Sequence, residues 1–119
     1  MRSEVELGAL RDMLHHIDLA EDFARGHTFE SLRDDNIMAL YAITRCLEII
    51  SEASRRLSDD LKTRHPQMPW REMAAAGNFY RHNYEDVLPN RVWKTLQEDL
   101  PPLRTAIEQE LAEEGRPGQ

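Results

Sequence analysis

Eight consecutive residues, Gly77-Asn78-Phe79-Tyr80-Arg81-His82-Asn83-Tyr84, bring together a histidine, an arginine, two amides and two tyrosines. An imidazole titrates at about 6.5, so His82 is the residue type that can take up and return a proton at neutral pH. An arginine offers a planar fork of N–H donors that matches a phosphate. Each residue also has an ordinary structural reading. A histidine near a helix end is stabilised by the negative end of the helix dipole. Asn78 either hydrogen-bonds backbone at a bend or orients His82 from four positions away on the same face. A half-buried Tyr84 needs only a partner for its hydroxyl.

The elements around this cluster are helical. Leu7, Leu10, Leu14 and Ile17, then Ala20 and Phe23/Ala24, recur at three- and four-residue steps, the period of one helix face. This predicts a first helix of about twenty residues, closed by Gly26 in the position that favours glycine. A second helix is expected from near Ser31–Asn36 to about Leu57. Leu40, Ile43, Leu47, Ile50 and Leu57 form one stripe, and Ala42, Cys46, Ile49 and Ala53 a second beside it. So broad an apolar surface packs on two sides, in a bundle or at a subunit interface.

Ser58-Asp59-Asp60 reads as a cap before a short turn through Leu61 to Arg64. His65-Pro66-Gln67-Met68-Pro69 is then the main loop, because its prolines lack N–H donors and restrict the residues before them. A third helix is expected over Trp70–Arg81, with Gly77 marking a close approach or a bend. The fourth starts near Pro89 or Asn90 and carries one apolar seam to Leu111. It is interrupted at Pro101-Pro102, where a kink or two abutting helices are expected, with Asp99 as a cap. Residues 115–119 read as a frayed tail. The expected fold is all-α, a four-to-five-helix up-and-down bundle forming a single domain over residues 1–114.

A chain of 119 residues has room for one such domain, which excludes a multidomain enzyme. Uncharged stretches such as 36–44 reach nine residues, against about twenty for a membrane span. The acidic N-terminus lacks the apolar run of a secretory signal, so a cytoplasmic protein with no membrane association is expected. The single cysteine, Cys46, can form neither an internal disulfide nor a thiolate zinc site and reads as core filler. No two histidines share i, i+4 spacing, so no metal site is indicated. His15, His16, His27 and His65 read as ordinary surface or loop positions. Net charge is −7, with residues 1–35 at −5 and 95–119 at −4, while residues 36–94 carry nine Lys/Arg against seven acids, net +2. A local cationic site for phosphate is therefore permitted in the middle of the chain. Arg45, Glu48 and Glu52 read as i, i+3 and i, i+4 ion pairs, and Trp70 and Trp93 as core anchors.

Three blocks carry a family resemblance: Arg45-Cys46-Leu47-Glu48-Ile49-Ile50-Ser51-Glu52-Ala53; His65-Pro66-Gln67-Met68-Pro69-Trp70-Arg71-Glu72-Met73; and Asn78 with His82-Asn83-Tyr84, followed by Val92-Trp93 and Asp99-Leu100-Pro101. In order and spacing, over roughly residues 30–104, they resemble the HepT-like proteins of the HEPN superfamily, small prokaryotic helical dimers. The resemblance implies a metal-independent ribonuclease toxin without a cofactor, acting on RNA as a homodimer. Such a toxin is typically encoded beside a minimal nucleotidyltransferase antitoxin, which in some systems attaches AMP to a motif tyrosine. The family motif is Arg-x4-His-x-Tyr at the dimer cleft. His82 matches its histidine, Tyr84 its tyrosine, and Asn78 the asparagine that often follows its arginine.

Gly77 stands where the motif has arginine. Attack of a ribose 2′-hydroxyl on its own phosphorus needs a base, and also a cation or several donors for the charge that builds on the phosphorane. His82 suits the first task. For the second, Arg81 is the nearest substitute, with Arg71 and Arg45 more remote. Adjacent side chains on a helix point about 100° apart, so Arg81, beside His82, is expected to reach the vacated place only if the helix changes path at its end. The resemblance leaves two readings, an active ribonuclease and a dimeric binding module of the same fold that has lost scission with its arginine.

Overall fold

A computed structural model of the chain describes residues 2–82 and 88–114. The helices are α1 (Glu4–Ala24), α2 (Ile37–Ser54), α3 (Asp59–Arg64), α4 (Trp70–His82), α5 (Leu88–Lys94) and α6 (Leu100–Glu114). Wider π-helical turns at Ser31–Asp35 and Thr95–Asp99 precede α2 and α6. No strand occurs among the described residues, and the fold is the all-α bundle expected. The expected tail, residues 115–119, lies outside the described residues.

The helix ends follow local chemistry. Ser3 and Ser58 accept from the N–H groups of Glu6 and Leu61 and so start α1 and α3, and Asn36 does the same for α2 through Ala39. Each satisfies one of the backbone donors that a helix start leaves open. α2 therefore begins at the late edge of the expected start, ends three residues before Leu57, and the expected turn after Ser58 is the short helix α3. After α1 the chain turns at Gly26 with φ +81°, a conformation glycine adopts without a Cβ clash. At the other end the prolines break nothing outright. Pro101 and Pro102 have no N–H to donate and their rings crowd the preceding turn. The helical path instead widens at Thr95–Asp99, where Leu100 N–H bonds to Thr95 O five residues back, a π-turn of the kind that absorbs such mismatch. Asp99 lies inside this turn and caps no fresh start.

α2 is the central element and packs against α1 and α4, with lesser contact to α5. Leu10, Met13 and Ile17 from α1 meet Leu40, Ile43, Leu47 and Ile50 from α2. Leu100, Leu103 and Ile107 of α6 close the same core. Cys46 and Ala53 of the second stripe are also buried, as the double stripe predicts, whereas the outer side of α2 leaves Ile37, Met38 and Tyr41 exposed. Trp70 is half-buried and donates from Nε1 to His65 O at 2.9 Å and Lys62 O at 3.2 Å. Trp93 stacks edge-on against Phe29.

His65 is not an ordinary loop position. It is buried, with its Nε2 2.6 Å from Oε2 of Glu110. Glu110 also accepts from Arg2 Nη2 at 2.8 Å and from Arg64 Nη2 and Nε at 2.8 and 3.1 Å. Burial pushes the Glu110 carboxyl up, but the hydrogen bonds from Arg64, Arg2 and His65 outweigh it and hold the group at about 2. The neighbouring Glu6 accepts from Ser58 N–H at 2.6 Å. This buried network ties the start of the chain, the loop that launches α4, and α6 together, and it fixes where α4 begins.

Candidate functional site

α4 carries the chemistry-bearing cluster, and its inner side is firmly held. Tyr80 is buried, with its hydroxyl 3.1 Å from Thr95 Oγ1. Burial raises its phenol above the usual range, with hydrogen bonds to Thr95 and Arg91 acting the other way. Phe79 lies under the Arg91 guanidinium, 5.4 Å from ring centroid to carbon. These contacts leave the opposite face of α4 to solvent. Taking 100° per residue, Arg71, Ala75, Asn78 and His82 fall within about 60° of arc, and all four are exposed.

Gly77 marks a close approach. It is buried against α2, and its N–H donates to Ser51 Oγ at 2.9 Å. The same hydroxyl donates to Ala74 O at 3.2 Å, and Arg55 at the end of α2 donates to that carbonyl from Nε and Nη2 at 3.1 and 2.8 Å. A Cβ on Gly77 would stand 3.1 Å from Ser51 Oγ and 3.8 Å from Arg81 Nη1. Glycine thus lets α4 press onto α2, and the Arg81 guanidinium lies over the space it leaves.

This corrects the expectation that Arg81 needs a change of helical path. α4 is regular through His82, and the relation that matters is to Gly77, four residues back and on the same face. Side chains on a helix lean toward its N-terminus, so Arg81 reaches back over Gly77 while His82, about 100° round, points outward. The sequence signal for this was present in the i, i+4 spacing of the two residues.

The remaining expected site residues fall as follows. The His82 side chain is exposed rather than walled in by the core. Asn78 is one turn before it and also exposed, and no hydrogen bond of its side chain occurs among the described residues. Tyr84, the expected modification site, lies outside the described residues. Arg45 is on the outer side of α2, 3.5 Å from Glu48, while Glu52 pairs with Arg56 at 3.7 Å. Arg71 sits at the far end of the α4 stripe, eleven residues from His82.

Comparison with known proteins identifies the family. A family model described as ribonuclease HepT-like matches residues 13–110. A probable ribonuclease HepT of Thermococcus cleftensis is 40% identical over 99 residues, covering 83% of this chain and 89% of that protein. A candidate RNase of Methanocaldococcus jannaschii is 38% identical over 74 residues, 62% of this chain and 68% of that protein. A candidate RNase of Caldanaerobacter subterraneus is 28% identical over 105 residues, 88% and 93% of the respective chains. No solved structure gives a significant match. Among the described residues no helix is long and apolar enough to cross a membrane. The family match runs from the middle of α1 to Glu110 in α6 and includes the α4 cluster, and on that ground the chain belongs to the HepT-like ribonuclease family of the HEPN superfamily.

Proposed function

We propose that this protein is a metal-independent endoribonuclease toxin of a toxin–antitoxin pair, a cytoplasmic homodimer neutralised by a minimal nucleotidyltransferase. His82 takes the proton from a ribose 2′-hydroxyl as its oxygen attacks the adjacent phosphorus. The bond from O2′ to phosphorus forms and the bond to O5′ breaks, leaving a cyclic phosphate and a 5′-hydroxyl. The proton that O5′ needs comes from the second His82 of the dimer, which gives the symmetric cleft a chemical purpose. Arg81 holds the phosphate and the charge that grows on it, and Asn78 orients the imidazole. Tyr84 is the residue the nucleotidyltransferase would modify with AMP. The exposed Ile37, Met38 and Tyr41 on the outer side of α2 support self-association, since clustered apolar side chains on a surface mark contact sites.

One observation carries the reading: an exposed imidazole at His82 next to an arginine whose guanidinium lies over bare Gly77. This supports Arg81 as a source of the cation from within α4 although the motif position is glycine. The same glycine supports the second reading, a dimeric binding module that has lost scission, if Arg81 serves only to fill that space.

Cleavage of RNA by four proteins separates them. In the active reading the wild type cuts, and His82→Ala and Arg81→Ala each lose about 10²–10⁴-fold in rate with unchanged thermal midpoints. Gly77→Arg then lowers activity, because its Cβ meets Ser51 Oγ at 3.1 Å and its chain competes with Arg81. An inert wild type that gains cleavage through Gly77→Arg establishes the binding-module reading instead. A His82→Ala protein that cuts at the wild-type rate removes the proposed mechanism. Intact mass after co-expression with a nucleotidyltransferase encoded beside it reports any AMP on Tyr84.

A further inference from the structure

The outward stripe of α4 runs well back from His82 toward the start of the helix. Arg71 and His82 are eleven residues apart on it, which at 1.5 Å per residue is about 16 Å along the helix axis. Between them the stripe presents Ala75 and Asn78, a small and a neutral side chain. The stripe carries no carboxylate, and Glu72 lies about 100° round the helix from Arg71.

Arg71 is exposed and makes no hydrogen bond or ion pair among the described residues. Most other arginines are engaged: Arg2, Arg64 and Arg104 in ion pairs between distant parts of the chain, Arg25, Arg33, Arg45 and Arg56 with nearby acids, and Arg55 with Ala74 O. In a chain of net charge −7, an acid-free exposed stripe with an unused guanidinium at one end and an imidazole at the other is a local reversal of sign.

We propose that α4 is a rail for single-stranded RNA, with Arg71 as a distal phosphate anchor that fixes how the strand lies across His82. This rests on the reading of His82 as the scission site and adds a distal anchoring residue and a length requirement to it. A stacked strand carries one phosphate per about 3.4 Å of axis, and an extended strand about half as many. The distance from Arg71 to His82 therefore spans about two to five nucleotides. The strand is single because the 2′-oxygen must swing into line with the bond that breaks, which the fixed geometry of an A-form duplex prevents and a free strand allows. The small side chain of Ala75, exposed between Arg71 and Asn78, lets that backbone come close to the helix.

The test uses full-length protein and oligoribonucleotides of two to eight nucleotides. Binding is read by fluorescence polarisation on oligonucleotides with 2′-O-methyl groups, which cannot be cut, and cleavage on the unmodified series. The wild type is expected to gain affinity steeply up to about five nucleotides and little beyond. Arg71→Ala should reduce the slope of log K against log salt by about 0.7, the release expected for one phosphate contact on a single strand. It should also lower the preference for six nucleotides over two by about fivefold, while Arg71→Lys keeps the slope. An Arg71→Ala protein with wild-type slope and wild-type length preference overturns the rail even where His82→Ala has abolished cleavage. If His82→Ala cuts as fast as wild type, the scission reading falls first, and the salt slope of the uncleavable strands still decides whether Arg71 binds RNA.

Discussion

Acid should unfold this protein through one carboxylate. Glu110 lies at about 2, against an ordinary glutamate value of 4.5, because Arg64, Arg2 and His65 surround it at hydrogen-bond distance. Its side chain is 5% exposed, so water screens these contacts little. A carboxylate whose folded value is depressed binds its proton more readily when unfolded. Its contribution to stability is therefore complete above about pH 4.5 and is lost as pH falls toward 2. The gap between the two values, at about 1.4 kcal/mol per pH unit, is worth about 3 kcal/mol, and about 2 kcal/mol of that is gone by pH 3. The assay is urea unfolding followed by circular dichroism at 222 nm from pH 7 to pH 2.5, on wild type and Glu110→Gln. Wild type should lose stability over that window with a slope that steepens below pH 4.5. Glu110→Gln should begin about 3 kcal/mol lower at pH 7, since the Arg2 and Arg64 guanidinium groups lose their counter-charge, and should show a flatter profile. Parallel profiles for the two proteins would refute the claim that this network holds the ends of the chain and the α4 loop together.

Two further outcomes test the core. Cys46 is buried and its thiol is pushed up by burial, so a thiol reagent such as DTNB should label it only through unfolding, at a rate that rises with denaturant; fast labelling of the native protein contradicts the packing of α2. Leu10→Ala removes a fully buried side chain between α1 and α2 and should lower unfolding stability by about 2–5 kcal/mol, read as a shift of the urea midpoint at constant slope.

The all-α fold was legible in the sequence because a helix written in periodic apolar residues needs only local information. The stripes of the first two helices, the Ser58 cap, the loop between Pro66 and Pro69 and the boundaries of α4 all depend on residues within a turn or two of each other. The cluster around His82 and the gap at Gly77 were legible for the same reason, as residue types at fixed spacing. Tertiary structure alone decided what the gap means. Ser51, 26 positions away, takes the Gly77 N–H and would stand only 3.1 Å from a Cβ there, and the same close crossing leaves the space over which Arg81 lies. Nothing local marks His65 as a buried partner of Glu110 across 45 residues, or Arg2 across 108. Such charges meet only after the chain has folded, and their energy comes from the burial the fold creates. The sequence by itself determined which groups are available to this protein, and the packing of α4 on α2 decided which of them face outward together.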